Sequence, residues 1–472
     1  MSQGTQGARA EPFPRAAQEA LANRQVRANL LHATATIRLK RAQAVAEVPD
    51  WEELRDAGAA VKDVALLSLD RLLVDLEGAV TRRGGTVHWV RDAAEANALV
   101  TELVRREDVE SVVKVKSLAT EEIGLNDALA AAGISAIETD LAELIVQLAG
   151  ERPSHLLVPA VHKNRDEIRD LFRERLALPN LGAEPGELTA AARGFLREAF
   201  LDARVAISGA NFACADTGSI AVVESEGNGR MCTTLPDVLI TVMGIEKVVP
   251  TFRDLEVMLQ LLPRSATGER MNPYTSIWTG VHPGDGPQTF HLVLLDNGRT
   301  RALADEIGRA ALRCIRCSAC INVCPVYRQT GGHAYHTPYA GPIGAILQPQ
   351  LDGARGPSSS LPFASSLCGA CADVCPVRID IPALLVNERR KVVEGRRSAE
   401  AVGFSLMGRA FRSRRGYERA QRLARLVQRP FVRHEWFRHF PPGPLRAWGR
   451  SRDLPAVPGE TFREWWRSRE RS

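Results

Sequence analysis

Apolar positions recur every three or four residues over 63–83, the spacing of an amphipathic helix, and Gly84-Gly85 closes the run. A short strand over 86–90 follows. The same unit then repeats as helix 93–106, strand 109–115, helix 121–132, strand 135–138, helix 141–148, strand 155–160 and helix 165–176. Strands alternating with helices of about ten residues imply βαβ crossovers, so the pattern predicts an α/β fold with a mainly parallel sheet covered on both faces. Further along, 204–209, 219–224, 238–243 and 291–295 are β-branched or aliphatic runs bounded by Gly, Asn or Pro, and helices are expected over 187–202, 254–262 and 301–312. Residues 50–312 thus read as one α/β domain, behind a helical extension over 1–49.

After Leu312 the strand pattern stops. A stretch dense in Gly, Pro, Tyr and His separates two cysteine clusters, a helix is expected over 379–393, and residues 397–472 form a basic helical extension. At 472 residues the chain exceeds one typical core, and its 45% hydrophobic and 25% charged content excludes disorder throughout. Charge is unevenly spread. From Glu388 onward there are 22 Lys and Arg against 9 Asp and Glu, a net of +13, which leaves −8 of the chain's +5 on residues 1–387. The start has no apolar stretch before a cleavage site, and no window of roughly 18 uncharged apolar residues exists. A cytoplasmic protein with reduced thiols is expected.

Seven of the nine cysteines fall between positions 314 and 375, which is a cofactor distribution and not a disulfide scaffold. The first group is Cys314-x2-Cys317-x2-Cys320-x3-Cys324-Pro325, and the second is Cys368-x2-Cys371-x3-Cys375-Pro376 with Ser365 where a further cysteine would stand. Thiolates are soft ligands that suit iron, and crossed pairing of two such groups assigns Cys314, Cys317, Cys320 and Cys375 to cluster one. Cys324, Cys368 and Cys371 fall to cluster two, one thiolate short. That second centre is [3Fe–4S], or [4Fe–4S] with a non-cysteine ligand, or completed by a partner subunit. Structural zinc also uses paired C-x2-C groups, but one zinc takes four ligands and here there are seven. The long interval between the groups favours a helical ferredoxin-like domain. Cys214 and Cys232 belong to neither group and read as small buried hydrophobes.

In the α/β domain, Gly227-Asn228-Gly229 lies at a strand end, where backbone N–H groups approach an anion or simply make a tight turn; no convincing helix is expected after it, so it falls short of a dinucleotide fingerprint. Glu138, Asp140 and Glu143 sit at a strand-to-helix junction, either as ligand contacts or as a capped, acidic first turn with Thr139 or Asp140 at the N-cap. Lys114 and Lys116 share one strand face. His155 and His162 are isolated and carry no metal signal.

The segments Lys116-Ser-Leu-Ala-Thr-Glu-Glu-Ile-Gly-Leu-Asn, Glu138-Thr-Asp-Leu, Pro153-Ser-His, Glu226-Gly-Asn-Gly-Arg, Met243-Gly-Ile-Glu-Lys-Val-Val-Pro-Thr, His291-Leu-Val-Leu-Leu-Asp-Asn-Gly-Arg and Gly341-Pro-Ile-Gly-Ala resemble the lactate utilization protein B family over about 50–400. The cysteine spacing, including the absent eighth cysteine, is similar to the family pattern. The resemblance implies a LUD domain over 50–312, with a fold like ribose-5-phosphate isomerase and CoA transferases, then a helical ferredoxin-like 4Fe-4S domain over 313–396. It implies two iron–sulfur clusters, most often [4Fe–4S], in a subunit of a three-protein L-lactate oxidation system. Its partners would be a cysteine-rich-domain subunit and a second LUD-domain subunit, with a quinone-linked or peripheral-membrane acceptor. The tail is more Arg-rich than the family pattern suggests.

Two electrons leave lactate as it becomes pyruvate, and two adjacent one-electron clusters pass them on stepwise, so an electron-transfer subunit is the expected role. A rival of another class is a CoA-transferase or isomerase-like enzyme with structural clusters and Glu138 or Glu224 as its catalytic carboxylate. Nucleic-acid binding through the tail fits its charge, but no base-reading module accompanies it.

Overall fold

The computed structural model of the chain describes residues 11–394, 399–437 and 452–470. It divides into two units, one running to Val392 and the other starting at Val393. In the first unit six parallel strands form a sheet in the order β1 (Thr86–Val90), β10 (Thr289–Leu295), β7 (Val238–Gly244), β4 (Val205–Ser208), β2 (Ser111–Lys114), β3 (Ser135–Glu138). Neighbouring residues on these strands face opposite ways and both are buried. Val113, Leu239 and Leu292 meet the helices Leu69–Arg82, Arg165–Arg175 and Pro185–Asp202, while Val112, Ile240 and Val293 meet Ala93–Arg105 and Leu125–Ala131. A sheet buried on both sides needs near-continuous aliphatic strands, which is what these runs supply.

A second sheet of four short strands was not expected from the parallel pattern: β8 (Val248–Val249), β5 (Phe212–Cys214), β6 (Ile220–Glu224) and β9 (Tyr274–Trp278), with β6 antiparallel to both β5 and β9. Several local expectations are corrected: the helix expected over 121–132 is two, Leu118–Glu122 and Leu125–Ala131, and that over 301–312 is Arg299–Ala304 followed by the 3-10 turn Gly308–Arg313. The helix over 63–83 is two helices, Trp51–Leu67 and Leu69–Arg82, broken at Ser68. Residues 155–160 form no strand; the Leu157 and Val158 N–H groups donate to Nδ1 of the buried His155 at 3.0 and 3.1 Å and fold the run into a turn. A helix does follow the glycine loop, over Asn228–Thr234, with Gly227 left-handed (φ 84°) before it.

The cysteine-bearing region consists of short helical pieces, among them Ala319–Val323, Tyr327–Thr330, Gly341–Asp352, Ala370–Asp373 and Ile381–Val393. They share one apolar core with the amino-terminal helices Phe13–Ala22, Arg24–Ala46 and Trp51–Leu67 and with Phe252–Ala266 of the α/β domain. The cysteine loops are therefore packed against the domain that precedes them.

The second unit contains the helices Ala399–Phe411, Arg414–Gln428 and Phe462–Arg469 and a two-stranded ladder, Val432–Arg433 with Trp436–Phe437. Polar contacts tie it together. Arg425 bonds Glu464 at 2.7 Å, Arg467 bonds Glu418 at 3.1 Å, and Gln428 exchanges two hydrogen bonds with the Val457 backbone. No helix among the described residues is long and apolar enough to cross a membrane.

Candidate functional site

All nine cysteines are free thiols. Cys314 follows the 3-10 turn Gly308–Arg313, Cys320 lies inside Ala319–Val323, Cys324 ends that helix, and Cys371 lies inside Ala370–Asp373. The loops between them are tightly wound: Arg316, Ser318 and Leu367 take left-handed backbone conformations (φ 61°, 62° and 55°).

Cys314, Cys317, Cys320 and Cys375 are electrostatic neighbours, as are Cys324, Cys368 and Cys371, and Cys320 also senses Cys371 across the two sets. Five of the seven are buried, Cys314 is half-buried and Cys368 is exposed. Burial pushes the thiols of Cys317 and Cys371 up to about 12, so these groups do not stay ionised without a nearby cation. Backbone N–H groups already point at three sulfurs: Arg316 at Cys314 (3.4 Å), Tyr327 at Cys324 (3.5 Å) and Ile379 at Cys375 (3.3 Å). Soft donors, five of them buried and three hydrogen-bonded from the backbone, form a set that fits iron–sulfur clusters, whose iron deprotonates coordinated thiols. Ser365, at the position of the missing cysteine, accepts a hydrogen bond on Oγ from Leu367 N–H at 3.1 Å, and its carbonyl accepts one from Arg389. Among the described residues no three His, Cys, Asp or Glu side chains converge as ligands of a single metal ion.

The LUD domain profile matches residues 74–295, and a 4Fe-4S dicluster domain profile matches residues 310–379. Lactate utilization protein B of Oceanobacillus iheyensis is 43% identical over 430 residues, covering 90% of this chain and 89% of the relative. The protein of the same name from Bacillus subtilis strain 168 is 41% identical over 469 residues, covering 98% and 97%. The chain belongs to the lactate utilization protein B family. A DUF162 family protein from Deinococcus radiodurans, solved at 1.70 Å, overlaps 48% of this chain and 98% of its own at 12% identity with a TM-score of 0.28. As a member of the family the chain pairs a LUD domain with a 4Fe-4S dicluster domain, and is an iron–sulfur protein of lactate utilization.

The α/β residues singled out in the sequence mostly assemble at the carboxyl ends of β2 and β3. All six strands run parallel, and it is the order of strand addition that reverses between β2 and β4, the place where open α/β sheets collect ligands. Lys114 is paired with Glu138 at 2.7 Å, both almost wholly buried, and Glu138 also accepts from Asn126 at 2.7 Å. The other Glu138 oxygen is buried without a hydrogen-bond partner. Lys116 faces Glu143 at 3.7 Å. Burial pushes the Glu143 carboxyl up to about 8, with Lys116 opposing and Glu138 adding to the rise. Asp140, not Thr139, caps the following helix by accepting from Ala142 and Glu143 N–H; the Thr139 hydroxyl donates to the Lys114 carbonyl at 2.8 Å.

Glu224 accepts the N–H groups of Glu226 and Gly227, both at 2.6 Å, so its carboxylate is engaged in closing the glycine loop. Cys214 and Cys232 are fully buried and pushed up to about 12 by burial, inert as thiols. His155 donates to Asn322 at 3.0 Å and fastens the 155–158 turn to the helix that carries Cys320, while His162 bonds Glu151 at 2.7 Å. A buried set that the sequence did not single out is Lys62, Glu122, Glu246, Arg299, Arg316 and Tyr339, which joins the ends of the parallel sheet to the first cysteine loop. No local spacing could have found it, since its members lie as far as 277 positions apart.

Proposed function

We propose that the chain is the electron-transfer subunit of the oxidation of L-lactate to pyruvate. One cluster would be held by Cys314, Cys317, Cys320 and Cys375, and a second by Cys324, Cys368 and Cys371. What supports this reading is the spacing of seven free thiols, five of them buried, in a domain that matches the 4Fe-4S dicluster family. Each cluster, once bound, takes up and gives back one electron. The buried cysteines keep water away from the first set, and the backbone N–H groups directed at Cys314, Cys324 and Cys375 favour the charged sulfur. The two-electron oxidation itself falls to partner subunits, a cysteine-rich-domain protein and a second LUD-domain protein, and a reduced cytoplasm suits the free thiols.

Anaerobic iron and sulfide quantitation with EPR tests the assignment. Eight irons per chain are expected from two four-iron clusters. Cys324→Ser is expected to abolish one EPR signal and leave the other, and Ser365→Ala to retain the full iron content if serine is not a ligand. A single signal whose loss follows both Cys317→Ser and Cys324→Ser would refute the two-cluster assignment. Mixing the reconstituted three-protein system with lactate is expected to reduce the clusters on the turnover timescale. Clusters that stay oxidised throughout turnover would instead make them structural.

A further inference from the structure

The cations around the first cysteine set come largely from outside the cysteine domain, and what they do there deepens the electron-transfer reading, on which it rests. Arg316 stands between Cys314 and Cys317 and is only 8% exposed. Its backbone N–H meets the Cys314 sulfur at 3.4 Å, and its guanidinium donates to the Cys314 carbonyl at 3.4 Å and to Glu246 at 3.1 Å and lies 4.8 Å from the centre of the Tyr339 ring. Glu246 follows the carboxyl end of β7, is 1% exposed, and accepts on its other oxygen from Arg299 at 2.5 Å. Arg299 in turn forks onto Glu122 with two bonds of 2.9 Å, and the Tyr339 hydroxyl donates to the same carboxylate. Lys62 donates to the Glu246 carbonyl at 2.5 Å, and Arg55 donates twice to the Cys375 carbonyl, at 2.8 and 3.0 Å.

Among the described residues, no cation is among the strongest influences on two thiols of the second set. The electrostatic neighbours of Cys324 and Cys371 are Cys368, each other and backbone N–H groups. Reducing a cluster adds one electron and breaks no protein bond, so a fixed cation beside it in a low-dielectric interior stabilises the reduced form and raises the potential. A buried carboxylate has the opposite effect. We propose that the buried Arg316 guanidinium raises the reduction potential of the cluster held by Cys314, Cys317, Cys320 and Cys375, and that the buried Glu246 carboxylate beside it opposes that rise. Glu246 and Lys62 make that potential depend on the α/β domain.

The test is an EPR-monitored potentiometric titration of the anaerobic full-length holoprotein with dithionite, with iron per chain measured on each sample. In Arg316→Gln and Lys62→Met one of the two signals is expected to move to lower potential while the other stays. In Glu246→Gln the same signal is expected to move to higher potential, and Arg316→Lys should restore most of the parent value. Opposite signs from neighbouring positions are not what loosened packing produces. Iron-replete variants with parental potentials, or shifts of the same sign in Arg316→Gln and Glu246→Gln, would overturn the proposal. If Arg316→Gln loses its iron, Lys62→Met and Glu246→Gln, whose positions lie outside the cysteine loop, decide. A parent protein without iron would bring down the function proposed above and this inference with it.

Discussion

Lys114 and Glu138 are a buried ion pair in which each charge depends on the other. Burial alone lowers the lysine's affinity for its proton, but the Glu138 and Glu121 carboxylates outweigh that and raise it. Removing one partner of such a pair strands the other in the interior, which costs about 3–5 kcal/mol, whereas replacing both with apolar residues is close to neutral. Lys114→Met is therefore expected to lose stability of that order in denaturant unfolding, and Lys114→Met with Glu138→Leu to recover most of it. Equal losses in the single and double variants would show that the pair is not coupled. Glu143, on the next helix, behaves differently because burial keeps it protonated up to about 8 against an ordinary value of 4.5. The folded chain then retains a proton that the unfolded chain releases, so this group's contribution is complete below about pH 4.5 and is lost as pH rises toward 8. Relative to the parent, Glu143→Gln should gain stability between about pH 5 and 8, at up to ~1.4 kcal/mol per pH unit. Parallel stability curves for the two proteins would contradict it.

At the scale of elements, the helix Gly341–Asp352 packs so closely on the segment before it that a Cβ at Gly344 would lie 1.5 Å from the Tyr339 carbonyl oxygen. Gly344→Ala must push the helix away from Tyr339, whose ring supports Arg316 and whose hydroxyl meets Glu122. A loss above ~3 kcal/mol is expected in thermal or denaturant unfolding, the range of severe core disruption; a change under ~1 kcal/mol would mean the helix shifts freely. The contrast with the expected strand over 155–160 shows what the chain discloses in advance. The repeating βαβ units were legible because their helices run for two or more turns and their strands are bounded by Gly, Asn or Pro. The run at 155–160 is apolar because Leu156 enters the core shared with the cysteine region, and so short a run has no period that separates strand from turn. β5 and β8, of three and two residues, are too short to register at all. The seven cysteines announced themselves by spacing. Lys62 and Arg55 did not, because they stand on an amino-terminal helix whose partners, the carbonyls of Glu246 and Cys375, lie 184 and 320 positions along the chain, and only the fold brings them together.

At the scale of the whole molecule, the two units differ in what holds them. The buried apolar residues all lie at or before Val392, and among the described residues the carboxyl-terminal unit contributes none. Its helix Arg414–Gln428 turns Leu423, Leu426 and Val427 to the surface and directs Arg425 and Gln428 inward, to Glu464 and to the Val457 backbone. Exposed ion pairs contribute about 0–1 kcal/mol each, too little to hold helices that bury no apolar side chain among the described residues. A separate peptide of residues 393–472 is accordingly expected to show weak helicity by circular dichroism and no cooperative melting. The complementary fragment, ending at Val392, contains every buried apolar cluster of the described residues and all seven cysteines of the two sets, so it should keep the parental iron content. Its melting temperature should stay within about 2 °C of the parent, the change that less than ~1 kcal/mol produces. Its charge should not stay the same: residues 393–472 carry +11 of the chain's +5, leaving −6 on the remainder, so the fragment should move from a cation to an anion exchanger at pH 7. A fragment that melts far below the parent, or loses iron, would mean that the basic unit is part of the fold that holds the clusters and not an appendage to it.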